Sequence, residues 1–362
     1  MRTVHGLRLR RSRAYSMAAA FVAVVTATAV AGCGASSDET SGSGEQTTLV
    51  FAGFGGAIAD AEAEAFFKPF EKETGIKVNY TNAPDWGQYT AAIQAGDTKW
   101  DVLAIDAQAD DLEKYFEKLD CTIISCNQIL DYSNVTDYST IVYTYAAALC
   151  YNRAGLNGKE PTSWADFFDL KKFPGKRVIQ NTSGNRINLL VGAMMATGAT
   201  PETVTPFDLN RAFAELDKVK GSMMVTDGQP ATTQAVLGGE GVMGTCQDSQ
   251  VAAVDPDLKT MGMMWNGHVA GGAAIQIAKG SKNVAAAQKL IAYMTSAEHN
   301  AELSYHLVAA PSNKTVLDKA NPKWSNWYAT GMTDVQSIQY PWPYVRQNGT
   351  KIQDAFTAWI AG

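Results

Sequence analysis

Leu49-Val50-Phe51-Ala52-Gly53-Phe54-Gly55-Gly56 opens the folded part of the chain and sets its architecture. Four apolar residues in a row fit a strand buried on both faces, and the glycines behind them mark its end. Helical spacing then runs from Ala59 to Glu73, and Gly75 supplies the left-handed stop. Ile76–Tyr80 alternates as a second strand, Tyr89–Ala95 reads as a helix, and Trp100–Ile105 as a third strand ending at Asp106. Strand and helix alternating at this spacing predict an α/β fold with mostly parallel sheets flanked by helices. Ligands of such sheets sit beyond the carboxyl ends of the strands, which makes Phe54, Gly55 and Asp106 candidate ligand contacts.

A second α/β block runs from about Tyr145 to His268. Its expected strands include Ala146–Tyr151, Arg177–Gln180 and Gly241–Cys246, and its expected helices Ser163–Leu170, Ile187–Ala196 and Phe207–Lys218. Ala273–Ala278 is strand-like. Asn283–Thr295 is amphipathic, with Ala287, Leu290, Ile291 and Met294 on one face, and Ile352–Ile360 closes the chain as a further helix.

The first 13 residues hold five arginines and no acid, and an apolar run from Met17 to Val30 follows. That run is too short to span a bilayer comfortably and reads as a secretory signal peptide. Val30-Ala31-Gly32-Cys33 behind it resembles the lipobox of bacterial lipoproteins, which implies removal of residues 1–32 and acylation of Cys33. Residues 33–48 are rich in Gly, Ser and Thr and are expected to be a lipidated, flexible tether. The expected location is the extracytoplasmic face of a bacterial membrane, held there by the lipid alone.

The full chain of 362 residues has a net charge of −6, and loss of the leader's five arginines leaves about −11. An acidic body without a Lys/Arg run argues against nucleic acid. Four cysteines remain after Cys33: Cys121, Cys126, Cys150 and Cys246. An even number in an oxidising compartment points to disulfides, with three possible pairings. A local Cys121–Cys126 loop would leave Cys150 and Cys246, which fall in two apolar strand-like segments.

Nothing in the chain calls for catalysis. There is no Gly-x-Ser-x-Gly, no His-Glu-x-x-His and no phosphate-binding Gly-x-x-x-x-Gly-Lys-Ser/Thr. Three histidines beyond the leader do not cluster with the cysteines, so neither a metal nor a cofactor is expected.

Leu149-Cys150-Tyr151-Asn152-Arg153-Ala154-Gly155-Leu156 is followed by Glu160-Pro161-Thr162-Ser163-Trp164-Ala165-Asp166-Phe167-Phe168 and Lys172-Phe173-Pro174-Gly175-Lys176-Arg177. Together with Lys68–Gly75, Gly239–Met243 and Lys279–Asn283, these blocks resemble the extracellular solute-binding proteins of ABC importers, most of all the spermidine/putrescine branch. The resemblance implies two lobes of the periplasmic-binding-protein type II kind, joined by crossing strands near Tyr143–Ala147, Gly271–Ala274 and Val308–Pro311. Residues 49–142 with 273–308 would form lobe 1, and 143–272 with 309–362 lobe 2. It also implies a cleft that closes on a small polar solute, permease subunits as partners, and a monomer. Candidate cleft residues are Phe54, Gly55, Trp86, Asp106, Tyr145, Asn181, Gln234 and Asp248, the last two at polar positions of the second lobe. Ala273 and Gly271 depart from the polyamine pattern, and Arg186 stands near where that branch carries an acid. A secreted enzyme or a solute-sensing lipoprotein is the alternative.

Overall fold

The computed structural model describes residues 46–132, 134–328 and 334–362. The signal peptide, Cys33 and nearly all of the tether lie outside the described residues. In lobe 1 the chain forms β1 (Thr48–Gly53), α1 (Ala57–Glu62), a π-helical turn (Ala63–Phe67), α2 (Lys68–Thr74), β2 (Lys77–Asn82), α3 (Trp86–Ala95), β3 (Val102–Leu103) and β4 (Phe116–Glu117). The long β5 (Thr140–Asn152) leads into α4 (Trp164–Phe168), β6 (Arg177–Gln180), α5 (Ser183–Ala196), α6 (Leu209–Lys220), β7 (Met223–Thr226), α7 (Gln229–Leu237), β8 (Met243–Gln247) and α8 (Asp248–Val254). Then β9 (Met261–Ala278) returns the chain to α9 (Val284–Thr295), and β10 (Ala310–Pro311), β11 (Ser337–Gln339) and α10 (Trp342–Ala361) complete it.

The strands form one continuous ladder in the order β2-β1-β3-β9-β5-β8-β6-β7. Its flanks are parallel: β1 pairs in parallel with β2 and β3, and β6 with β7 and β8. Its middle is antiparallel, since β9 pairs that way with β3 and β5, and β5 with β8. The reason is topological. The chain leaves lobe 1 along β5 and comes back along β9, so the two crossing strands must run in opposite directions.

Each lobe buries its own core. Phe51, Phe66, Phe67 and Phe70 of the first four elements pack with Ile275, Ile277, Leu290 and Ile291 on one side. Trp164, Phe167, Leu189, Leu190, Leu216 and Phe356 pack on the other. β5 and β9 contribute to both cores, which makes them the hinge strands. Tyr145 sits opposite Gly271 in their ladder. A Cβ on Gly271 would stand 2.5 Å from the Tyr145 hydroxyl, so only glycine lets that ring lie across the crossing. β10 joins them by pairing with Tyr143 and Thr144.

Differences from the sequence reading have local causes. The third strand shrinks to Val102–Leu103, although the Asp101 and Ala104 N–H groups on either side still donate to the Val50 and Ala52 carbonyls of β1 at 2.9 and 2.8 Å. The strand expected at Ala273–Ala278 is the second half of an 18-residue strand. The segment Trp164–Phe168 is a single short helix, held at its start where the Ser163 N–H donates to the Asp166 carboxylate at 3.3 Å. Disulfides join Cys121 to Cys126 and Cys150 to Cys246, the latter tying β5 to β8.

Candidate functional site

The parallel strands of both lobes end at one cavity of about 1050 Å³. Lobe 1 lines it with Gly53–Gly56 after β1, Asn82–Gly87 after β2 and Ala104–Asp106 after β3. Lobe 2 contributes Gln180–Thr182 and Gly184–Arg186 around the start of α5, Asp227–Pro230 after β7, and Gln247 with Gln250. Tyr143 and Tyr145 of β5 and Gly272–Ala274 of β9 form the floor.

The lobe 1 wall is largely apolar around two acids, Asp85 and Asp106. Gly55 and Gly56 take φ values of 75° and 61°, a left-handed turn that glycine adopts without strain. The Gly55 N–H donates to the Tyr80 hydroxyl at 2.6 Å, which pins the loop. Tyr80 is itself stacked on Phe51, ring centroids 5.9 Å apart. Phe54 projects from this loop and is 53% exposed. Trp86 is half-buried and packs edge-on against Tyr115 at 4.9 Å. Burial raises the Asp106 carboxyl to about 6. Among the described residues, no hydrogen bond or ion pair engages that carboxylate.

Lobe 2 presents amides, one cation and two acids, Asp227 and Asp354. Thr182 caps α5 by accepting from the Asn185 N–H at 3.4 Å, and Asn185 Nδ2 donates to the Gln180 carbonyl at 2.6 Å. Thr245 Oγ1 hydrogen-bonds Asn185 Oδ1, so the helix start is fixed to β8. Arg186 Nη1 donates to Asn181 Oδ1 at 3.0 Å. Burial lowers the Arg186 pKa. Gln180 is buried at the cavity wall, and among the described residues its Nε2 has no partner. Unspent helix N–H groups together with a guanidinium suit an anion.

The two walls meet closely. Asp106 Oδ2 lies 3.8 Å from where a side chain on Gly184 would begin. Tyr340, buried at the same cavity, has its pKa raised by burial and by Asp106, while Arg186 lowers it. Burial also raises the Tyr145 pKa, with Asp106 and then Asp248 adding to it.

Of the candidates from the sequence, Phe54, Gly55, Trp86, Asp106, Tyr145 and Asn181 line this cavity. Two stand elsewhere. Gln234 faces solvent on α7, outside the lining. Asp248 is 1% exposed and turned into the protein, where Oδ2 accepts from the Ala146 N–H of the hinge strand at 2.9 Å and Oδ1 from the Ser249 N–H at 2.7 Å. Burial raises its carboxyl to about 8, despite both hydrogen bonds. It anchors α8 to the crossing. Asp85, Arg186 and Gln247 also line the cavity, and Gln180, Asp227 and Tyr340 do so without a cleft reading from the sequence. Strand ends at Gln180 and Thr226 could have flagged the first two. Tyr340 had no local signal, since it reaches the cleft only through pairing of β11 with β9.

Two α/β lobes around such a crevice, hinged on crossing strands, define a solute-binding protein, and residues 65–331 match the bacterial extracellular solute-binding protein family. The chain belongs to that family. It is 25% identical over 330 residues to a gamma-aminobutyric acid-binding protein of Pseudomonas aeruginosa, covering 88% of this chain and 92% of the relative. The solved structure of a GABA receptor superposes with a TM-score of 0.78 at 28% identity, over 87% of this chain and 98% of that one. MotA of Agrobacterium tumefaciens B6, solved with glucopine, gives a TM-score of 0.78 at 24% identity over 87% and 100%, a likeness of fold.

Proposed function

We propose that this protein captures a small solute carrying both an ammonium and a carboxylate, and hands it to the permease of an ABC importer while Cys33 holds it to the membrane by lipid. One observation carries the reading: an uncompensated carboxylate, Asp106, and a guanidinium, Arg186, face a single cavity from opposite lobes. An ammonium desolvated in the cleft needs paired charge or a π face, and Asp106 with Phe54 and Trp86 offers both. A carboxylate at the other end finds Arg186 and the start of α5. A solute with opposite ends draws the lobes together, since neither wall alone satisfies it. The named relatives that bind gamma-aminobutyric acid support this class.

A dicationic polyamine is the second reading. Asp85, Asp227 and Asp354 join Asp106 at the cavity, four acids against the single Arg186. Calorimetric titration with three solutes of equal chain length separates the two readings: γ-aminobutyrate, putrescine and succinate. The zwitterion should bind tightest, with one site per chain. Putrescine binding tightest would transfer the assignment to polyamines, and no heat from any of the three would overturn both.

A further inference from the structure

The cavity exceeds what a four-carbon zwitterion needs. At about 1050 Å³ it stands at the top of the roughly 300–1,000 Å³ typical of pockets for drug-sized ligands. Asp106 and Arg186 are gathered where lobe 1 meets the start of α5, within the electrostatic reach of Tyr340. A separate part of the wall is one face of α10. Thr350, Gln353, Asp354 and Thr357 all line the cavity, and steps of three, one and three residues place them in one stripe. The opposite face, with Ile352 and Phe356, is spent in the lobe 2 core.

Among the described residues no hydrogen bond or ion pair engages these four side chains. They offer two hydroxyls, an amide and a carboxylate over eight residues, seven steps that make about 10 Å of helix at 1.5 Å per residue. The stripe begins beside an interlobe contact. Gln108 of lobe 1 comes within 3.3 Å of where a side chain on Gly349 would begin, and Asp110 acts electrostatically on Arg346 one turn earlier. Lobe 1 therefore overhangs the start of the stripe.

We propose that the polar stripe of α10 is an outer subsite that holds a hydroxyl- or amide-bearing extension of the solute whose charged core occupies the inner pocket. The inference rests on the zwitterion reading and adds to it. A solute longer than γ-aminobutyrate, with a polyol or amide tail, is then the better ligand. Hydroxyl groups on the tail donate to Asp354 and accept from Gln353, and the two threonines do both. A tail without polar groups gains nothing there.

The test is calorimetry with γ-aminobutyrate and with the same molecule bearing a six-carbon polyol on its nitrogen, a secondary amine that keeps both charges. The wild-type protein should bind the extended solute at least tenfold tighter. In a Gln353→Ala/Asp354→Ala variant, the extended solute should fall to the affinity of γ-aminobutyrate, whose own binding stays the same. Both positions are exposed, so folding should be retained, as circular dichroism and the melting temperature would verify. Equal affinity of the two solutes, or equal loss of both in the variant, would overturn the subsite while leaving the inner pocket standing. Failure of both solutes to bind the wild type would overturn the subsite and the zwitterion reading together.

Discussion

The two walls of the cleft are built by the same device, and only the second adds a cation to its acids. Each places a loop at the carboxyl end of a parallel strand and follows it with a helix. In lobe 1 the loop after β1 is glycine-rich, displays Phe54 and is pinned through the Tyr80 hydroxyl, with Asp106 as its nearby charge. In lobe 2 the loop after β6 is amide-rich, is pinned through Asn185 to β8, and has Arg186 as its charge. In the proposed function, a shared scaffold fixes where the solute sits, while a handful of loop residues decides which end of it each lobe takes.

The largest difference between the lobes should appear in stability. The Cys150–Cys246 disulfide spans 96 residues and the Cys121–Cys126 one spans 5. On the chain-entropy account these contribute about 4.7 and about 2 kcal/mol. Removing the long bridge by a Cys150→Ala/Cys246→Ala double variant should lower the unfolding free energy in denaturant by more than twice the loss from a Cys121→Ala/Cys126→Ala variant. Equal losses would mean that β5 and β8 hold together without the bond.

Charge on each wall comes next. Asp106→Asn should weaken γ-aminobutyrate roughly 10- to 100-fold, the range set by about 1.5–3 kcal/mol for a hydrogen bond to a charged group. Butyrate, which lacks the ammonium, should lose little. Arg186→Gln should do the converse and spare butylamine. If both substitutions weakened every solute alike, the walls would not divide the labour.

Acid should act through lobe 1. The Asp106 carboxyl has its pKa raised to about 6 in the free protein, so it is ionised above that value and loses its charge as pH falls through it. Affinity for an ammonium-bearing solute should drop about tenfold between pH 7 and pH 5. The Asp106→Asn variant should show a flat profile over the same range, and a wild-type profile that stays flat would remove Asp106 from the site.

The smallest effect belongs to the loop anchor. Tyr80→Phe keeps the ring on Phe51 and frees the Gly55 N–H, at a cost of about 1 kcal/mol, or roughly fivefold in affinity. Tyr80→Phe should leave the melting temperature within a few degrees of wild type. A collapse of the melting temperature instead would make Tyr80 a core residue rather than a positioning one.

How much of this could be read from the chain follows the same division. Lobe 1 was legible because Leu49–Ala52 and Ile76–Tyr80 are short, strongly patterned and bounded by Gly53 and Gly75, so the strand ends at Phe54, Gly55 and Asp106 could be placed. β9 was legible only over Ala273–Ala278, because Met261–Ala278 is buried on nearly every residue and carries Gly267, Gly271 and Gly272, leaving no alternation to follow. In lobe 2 the residue type was a poor guide to direction. Gln234 and Asp248 have the right chemistry, yet α7 turns the first to solvent and the first turn of α8 buries the second under the hinge. The cleft face of α10 escaped notice for a related reason. Ile352, Phe356 and Trp359 announce which side of that helix is buried, but polar residues on the other side read as ordinary surface until the fold puts a cavity there.

A crystal structure of the protein with γ-aminobutyrate tests the central claim most directly. The ammonium should lie within hydrogen-bonding distance of the Asp106 carboxylate and the carboxylate against Arg186 and the start of α5, with both lobes in contact with one molecule. A solute touching a single lobe, or held with its two ends reversed, would contradict that account.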